Sequence, residues 1–146
     1  MDVISLITMA LAPLLLISAT GLFILGLGTR LGRIIDRLRE FSQEVRSWDI
    51  SEERMKVILH QKEILLRRGE ICKNSLVYYH FTIMFTAVSS VFIFLSAVWE
   101  FFQYFALATF ILALLALLIG SIYAVLEISC SYAAVKKEAE VYLHSS

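Results

Sequence analysis

Three long uncharged runs dominate the chain, at residues 3–29, 74–99 and 101–126, and charge is confined to the segments around them. About 20 consecutive apolar residues let a helix cross the roughly 30 Å of hydrocarbon in a bilayer. Each run exceeds that length, so the pattern predicts an all-α integral membrane protein with three transmembrane helices, at residues 3–28, 74–99 and 104–129. The intervening stretch, 29–73, changes rhythm. Leu31, Ile34, Leu38, Phe41, Val45 and Trp48 alternate at spacings of three and four, the heptad seam by which one helix packs on another. Arg33, Asp36, Arg37, Glu40 and Glu44 form the solvated face beside it. No breaker follows Gly28, so the first helix is expected to continue out of the bilayer.

Trp48-Asp49-Ile50-Ser51 interrupts that seam, and Asp49 or Ser51 can cap a second helix whose first turn holds Glu52 and Glu53. The return helix, 52–73, places Met55, Ile58, Leu59, Leu65 and Leu66 on one side, with Lys62 interrupting the stripe. A short turn between two amphipathic helices predicts an antiparallel, coiled-coil-like hairpin continuous with spans one and two. Residues 130–146 read as a helical tail carrying Lys136 and Lys137.

Composition sharpens this picture. The chain is 59% hydrophobic with zero formal net charge, yet eleven of its 13 Lys and Arg residues lie in 29–73. The positive-inside rule then predicts an amino terminus outside, with hairpin and tail in the cytoplasm. The first run lacks a basic start and is longer than the roughly 7–15 residues of a signal-peptide core, so it is expected to be retained. Cys72 and Cys130 form no CxxC pair and do not read as a disulfide framework. With one proline, Pro13, and no Gly/Ser-rich linker, residues 1–146 form a single membrane domain.

The spans carry two kinds of face. Ser18, Gly21, Leu25, Gly28 and Gly32 in the first, and Ala106, Thr109, Ala113, Ala116, Gly120 and Ala124 in the third, put small residues where another helix can approach closely. Three helices offer little mutual burial for so many packing faces, which predicts a homo-oligomer. Span two carries Ser75, Tyr79, Thr82, Thr86, Ser89, Ile93 and Ser96 in phase. Such hydroxyls either contact other helices or line a wet path. Packing is preferred, because no ionisable residue joins the stripe. Trp99, Phe101, Phe102, Tyr104 and Phe105 suit an interfacial belt.

Candidate chemistry is sparse. Arg30, Arg33 and Arg37 share a helical face beside the bilayer and could hold anionic lipid headgroups or line a pore mouth. Snorkelling and topology-setting explain them more simply. Glu127, at the end of span three, is expected to pair with a base of the hairpin, Arg30 being one candidate. His80 is expected to be buried and hydrogen-bonded near Tyr78 and Tyr79, since no second ligand stands at metal-binding spacing from it. His60 and His144 read as surface residues. There is no nucleotide-binding glycine loop, no HExxH and no nucleophile–base pair, so neither an enzyme, a cofactor, a metal nor a nucleic-acid partner is expected.

Ala12-Pro13, then Thr29-Arg30-Leu31-Gly32-Arg33-Ile34-Ile35-Asp36-Arg37, then Leu66-Arg67-Arg68 and Leu126-Glu127-Ile128 resemble the bacterial membrane family called domain of unknown function 2721. The Arg-Leu-x-Arg-Ile-x-Asp-Arg run is the most specific part, and the likeness spans about Leu11 to Lys137. The resemblance implies a bacterial inner-membrane protein with three spans and brings no activity or catalytic residues. The functional expectation therefore rests on the residues. It is a non-enzymatic, homo-oligomeric scaffold or regulatory partner, with the bilayer around it and a cytoplasmic protein at the hairpin. The alternative is an oligomeric ion channel or small transport component, its pore lined by the hydroxyl stripe.

Overall fold

A computed structural model describes residues 3–46 and 51–144; the side chains beyond Tyr132 and those of residues 3, 5, 6, 9 and 10 lie outside that description. Trp48, Asp49 and the charged ends of Lys136 and Lys137, together with the His144 side chain, therefore fall outside it as well. Three helices make up the described chain: α1 (Val3–Arg46), α2 (Glu52–Leu95) and α3 (Phe102–His144). Each is long and apolar enough to cross a membrane, which marks a multi-pass membrane protein.

Both α1 and α2 run unbroken from an uncharged half into a charged half, 44 residues apiece. At about 1.5 Å per residue each is on the order of 66 Å long, twice a bilayer core. Pro13 stands inside α1 without ending it, its ring buried. Ser51 caps α2, its hydroxyl accepting from the Arg54 backbone N–H at 3.3 Å, with Glu52 and Glu53 in the first turn. Across the hairpin, Arg54 Nε donates to Glu44 Oε1 at 2.8 Å. After Leu95 the chain turns through residues 96–101, where Trp99, Phe101, Phe102 and Phe105 pack ring on ring with Phe92.

α2 is the central element. It packs along both neighbours, whereas α1 and α3 barely meet. Each helix presents a seven-residue repeat to the packing. In α1 the buried side chains are Pro13, Thr20, Leu27, Ile34 and Phe41. In α3 they include Ala106, Ala113, Gly120 and Glu127. In α2 one seam runs Ile58, Cys72, Tyr79 and Thr86, with Leu65 half-buried in the same register, and a second runs Ser75, Thr82, Ser89 and Ser96. A strict repeat of seven keeps one stripe facing a partner over many turns, as in a left-handed supercoil.

The hairpin seam differs from expectation in two places. Leu59 and Leu66 are 55% and 49% exposed, and the inward positions beside Ile58 and Leu65 go to half-buried Gln61 and Arg68. The stripe of the membrane half fixes that phase: stepping back by sevens from Ser75 arrives at Arg68 and Gln61, two positions along the helix from the leucines. Lys62 is exposed, so it does not interrupt the seam. Val45 also turns outward, and half-buried Glu44 beside it meets Arg54.

Candidate functional site

The hydroxyl stripe of α2 faces α3. Ser75 Oγ donates to the Gly120 carbonyl at 2.7 Å, and Ser89 Oγ donates to the Ala106 carbonyl at 2.8 Å. These two bonds are one contact repeated fourteen residues along each helix, in opposite directions, as antiparallel heptads require. Thr82 and Thr86 lie between them and spend their hydroxyls on their own helix, donating to the Tyr78 and Thr82 carbonyls. Ser96 likewise donates to Ile93. Ser121 gives its proton to the Leu117 carbonyl, so Tyr79 donates across to Ser121 Oγ at 3.4 Å. Ser75, Tyr79, Thr82, Thr86 and Ser89 are all at most 1% exposed. The stripe is thus covered by protein among the described residues.

The small residues divide. A Cβ placed on Gly120 would lie 3.1 Å from two ring carbons of Tyr79 and 3.3 Å from Tyr78 Cβ, so α2 and α3 approach closely at Gly120. Ala116 is buried beside it, and Ala124 packs half-buried against Leu27, Cys72 and Tyr79. On α1 the expectation of close packing meets a different result. A Cβ on Gly21, Gly28 or Gly32 would find nothing within 4 Å. The α1 seam lies one helical position away, at Thr20, Leu27 and Ile34. His80 is corrected too: it is exposed rather than buried, with its Nδ1–H donated to the Leu76 carbonyl at 2.7 Å. Cys72 and Cys130 are free thiols.

The charged cluster at the end of the uncharged runs is the most organised polar feature. Glu127, 1% exposed, receives Arg30 Nη1 of α1 on Oε2 at 3.1 Å. Its Oε1 accepts from Arg68 Nη2 of α2 at 3.4 Å and from Ser131 Oγ at 2.8 Å. One carboxylate on α3 therefore ties all three helices. A buried charge is tolerable when it is paired and hydrogen-bonded, and here both oxygens are occupied. Arg30, Arg33 and Arg37 line a cleft of about 510 Å³ together with Arg68, Glu127, Ser131, Ile34 and Leu65. Arg68 was not singled out from sequence, although its sevenfold step from Ser75 would have placed it on the packed face.

The model of a protein family of unknown function, DUF2721, matches residues 10–137. The chain belongs to the DUF2721 family. No curated protein and no solved structure matches it. The DUF2721 match covers all three apolar helices and both sides of the clamp, from Arg30 to Glu127. Among the described residues of this DUF2721 protein, no three His, Cys, Asp or Glu side chains converge as metal ligands would.

Proposed function

We propose that this protein is a non-enzymatic, homo-oligomeric scaffold or regulatory partner of the bacterial inner membrane. Its amino terminus lies outside, and its helical hairpin presents a binding surface in the cytoplasm. The observation that carries this reading is the continuity of α1 and α2, which leave the apolar zone as unbroken helices held by one seven-residue seam. A partner bound to the hairpin would be coupled rigidly to the spans, because no hinge separates them. Assembly of several copies is supported by the α1 face of Gly21, Gly28 and Gly32, which meets nothing inside the chain yet suits close helix approach. Exposed Leu22, Leu25, Leu107 and Leu118 give the outer surface its apolar character.

The test is the copy number of the protein extracted in native lipid, compared with a variant carrying Gly28→Leu and Gly32→Leu. Loss of higher assemblies with unchanged thermal stability of the single chain is the expected result. A monomeric wild type would refute the oligomer. Orientation is checked by thiol labelling of single cysteines introduced at Ser51 or Gln103 in a background lacking Cys72 and Cys130. Labelling at Ser51 from outside intact cells would reverse the proposed topology.

A further inference from the structure

We propose that the cleft between α1 and α2 is a binding site for a phosphate group, closed at its α3 side by Glu127. This goes beyond the hairpin reading and does not depend on it. Arg30, Arg33, Arg37 and Arg68 line the cleft, and Glu127 is the acidic residue among its lining. That carboxylate is already saturated by Arg30, Arg68 and Ser131, so it cannot neutralise the other two cations. Arg33 forms no ion pair among the described residues. Arg37 is paired with Glu40 at 2.7 Å and rests on the Phe41 ring at 5.0 Å, which leaves Arg33 as the cleft arginine with no counter-charge among the described residues. The Arg68 Nε is buried and has no hydrogen-bond partner.

The arrangement fits a phosphate better than a general negative surface. Planar guanidinium forks match phosphate oxygens in pairs, and here they converge from two helices. Glu127 acts as a brace: by gripping one nitrogen each of Arg30 and Arg68, it orients their remaining N–H groups before any ligand arrives. The position also matters. Arg30 follows the uncharged run 3–29 directly and Glu127 follows 101–126, so the cleft sits at the level where hydrocarbon gives way to lipid phosphates. Ile34 and Leu65 add an apolar wall, suited to the glycerol and first acyl carbons beside a headgroup. A phosphate diester of an anionic lipid and a free phosphate ion share the recognised chemistry.

The experiment uses the full-length protein in nanodiscs of phosphatidylcholine alone, or of phosphatidylcholine mixed with phosphatidylglycerol, and native mass spectrometry of retained lipid. Wild type is expected to retain phosphatidylglycerol preferentially, with Arg33→Gln lowering that retention about fivefold, the effect of one basic residue near a membrane surface. Arg67→Gln, which removes the same charge from the exposed side of α2 outside the cleft, is expected to leave retention unchanged. If inorganic phosphate instead raises the melting temperature in phosphatidylcholine nanodiscs, and Arg33→Gln abolishes that rise, the site holds soluble phosphate. Either result supports the proposal. Equal losses in Arg33→Gln and Arg67→Gln would reduce the effect to surface charge and overturn it, as would the absence of both lipid selectivity and phosphate stabilisation. Arg37→Gln provides a second cleft variant should Arg33→Gln fail to fold.

Discussion

Arg30 and Glu127 stand 97 residues apart in the chain and 3.1 Å apart in space, and they form a side-chain bond between two helices that otherwise barely touch. The Arg68 contact to the other carboxylate oxygen makes α2 the third member. Removing the carboxylate leaves two arginines facing each other without a counter-charge, while removing one arginine leaves the carboxylate half-served. Breaking a buried ion pair from one side costs about 3–5 kcal/mol. Arg30 keeps 44% of its side chain exposed, so solvent moderates its share. Glu127→Ala is therefore expected to lower thermal stability in nanodiscs more than Arg30→Ala does. Equal melting temperatures for Glu127→Ala and wild type would show that the clamp contributes nothing.

The glycines give opposite expectations for one chemical change. Gly120→Ala drives a methyl group against the buried Tyr79 ring, which is itself stacked on Phe23 at 5.5 Å. Overpacking of this kind costs about 1–3 kcal/mol. Gly28→Ala meets no neighbour within the chain, so its effect on the single chain is that of a helix gaining a better former, a gain of about 0.5–1 kcal/mol. Thermal unfolding of both variants in detergent, under conditions where the protein is monomeric, separates them. A Gly28→Ala protein less stable than Gly120→Ala would contradict the observed packing.

Ser75 and Ser89 cross to α3, whereas Thr86 does not. Ser75→Ala and Ser89→Ala are each expected to cost about 0.6 kcal/mol, the average for hydrogen bonds between helices in a membrane, and to be additive. Thr86→Val retains the shape and removes only a bond within α2, so the expected change is smaller. Because the stripe is covered by α3, vesicles containing the wild-type protein are expected to show no ion flux that Thr86→Val abolishes. Such a flux, with oligomer size unchanged, would restore the pore reading.

In the hairpin, neighbouring residues of similar size serve as each other's control. Ile58 is fully buried and Leu59 is 55% exposed. Ile58→Ala is expected to cost about 2–5 kcal/mol, and Leu59→Ala to stay within roughly 0.5 kcal/mol. Equal costs measured by thermal unfolding would place the seam in the wrong phase.

The contrast between Ile58 and Leu59 also shows what the amino-acid pattern discloses. Three uncharged runs determine three long helices because hydrocarbon length is a simple constraint. The α1 seam from Leu31 to Phe41 is legible for a similar reason, since its inward residues are apolar. On α2 the inward residues include Gln61 and Arg68, and a search for apolar spacing moves to Leu59 and Leu66 instead. Only the phase carried over from Ser75, Thr82 and Ser89 identifies them. Arg30 and Glu127 could be suspected as partners from their shared depth. Arg68 follows only from that phase, because its role depends on which side of α2 faces inward. The glycines of α1 expose a further limit: a local motif reveals a surface that permits close approach, but not what approaches it.

The Glu127 clamp has a consequence for how the protein enters its membrane. Synthesis proceeds from α1 through α2 to α3, so Arg30 and Arg68 have both left the ribosome before Glu127 is made. The acidic group is thus the last member of the clamp to be made. Among the described residues, the partner of that carboxylate on its own helix is Ser131. The contact that joins all three helices can therefore form only after the final helix has been made.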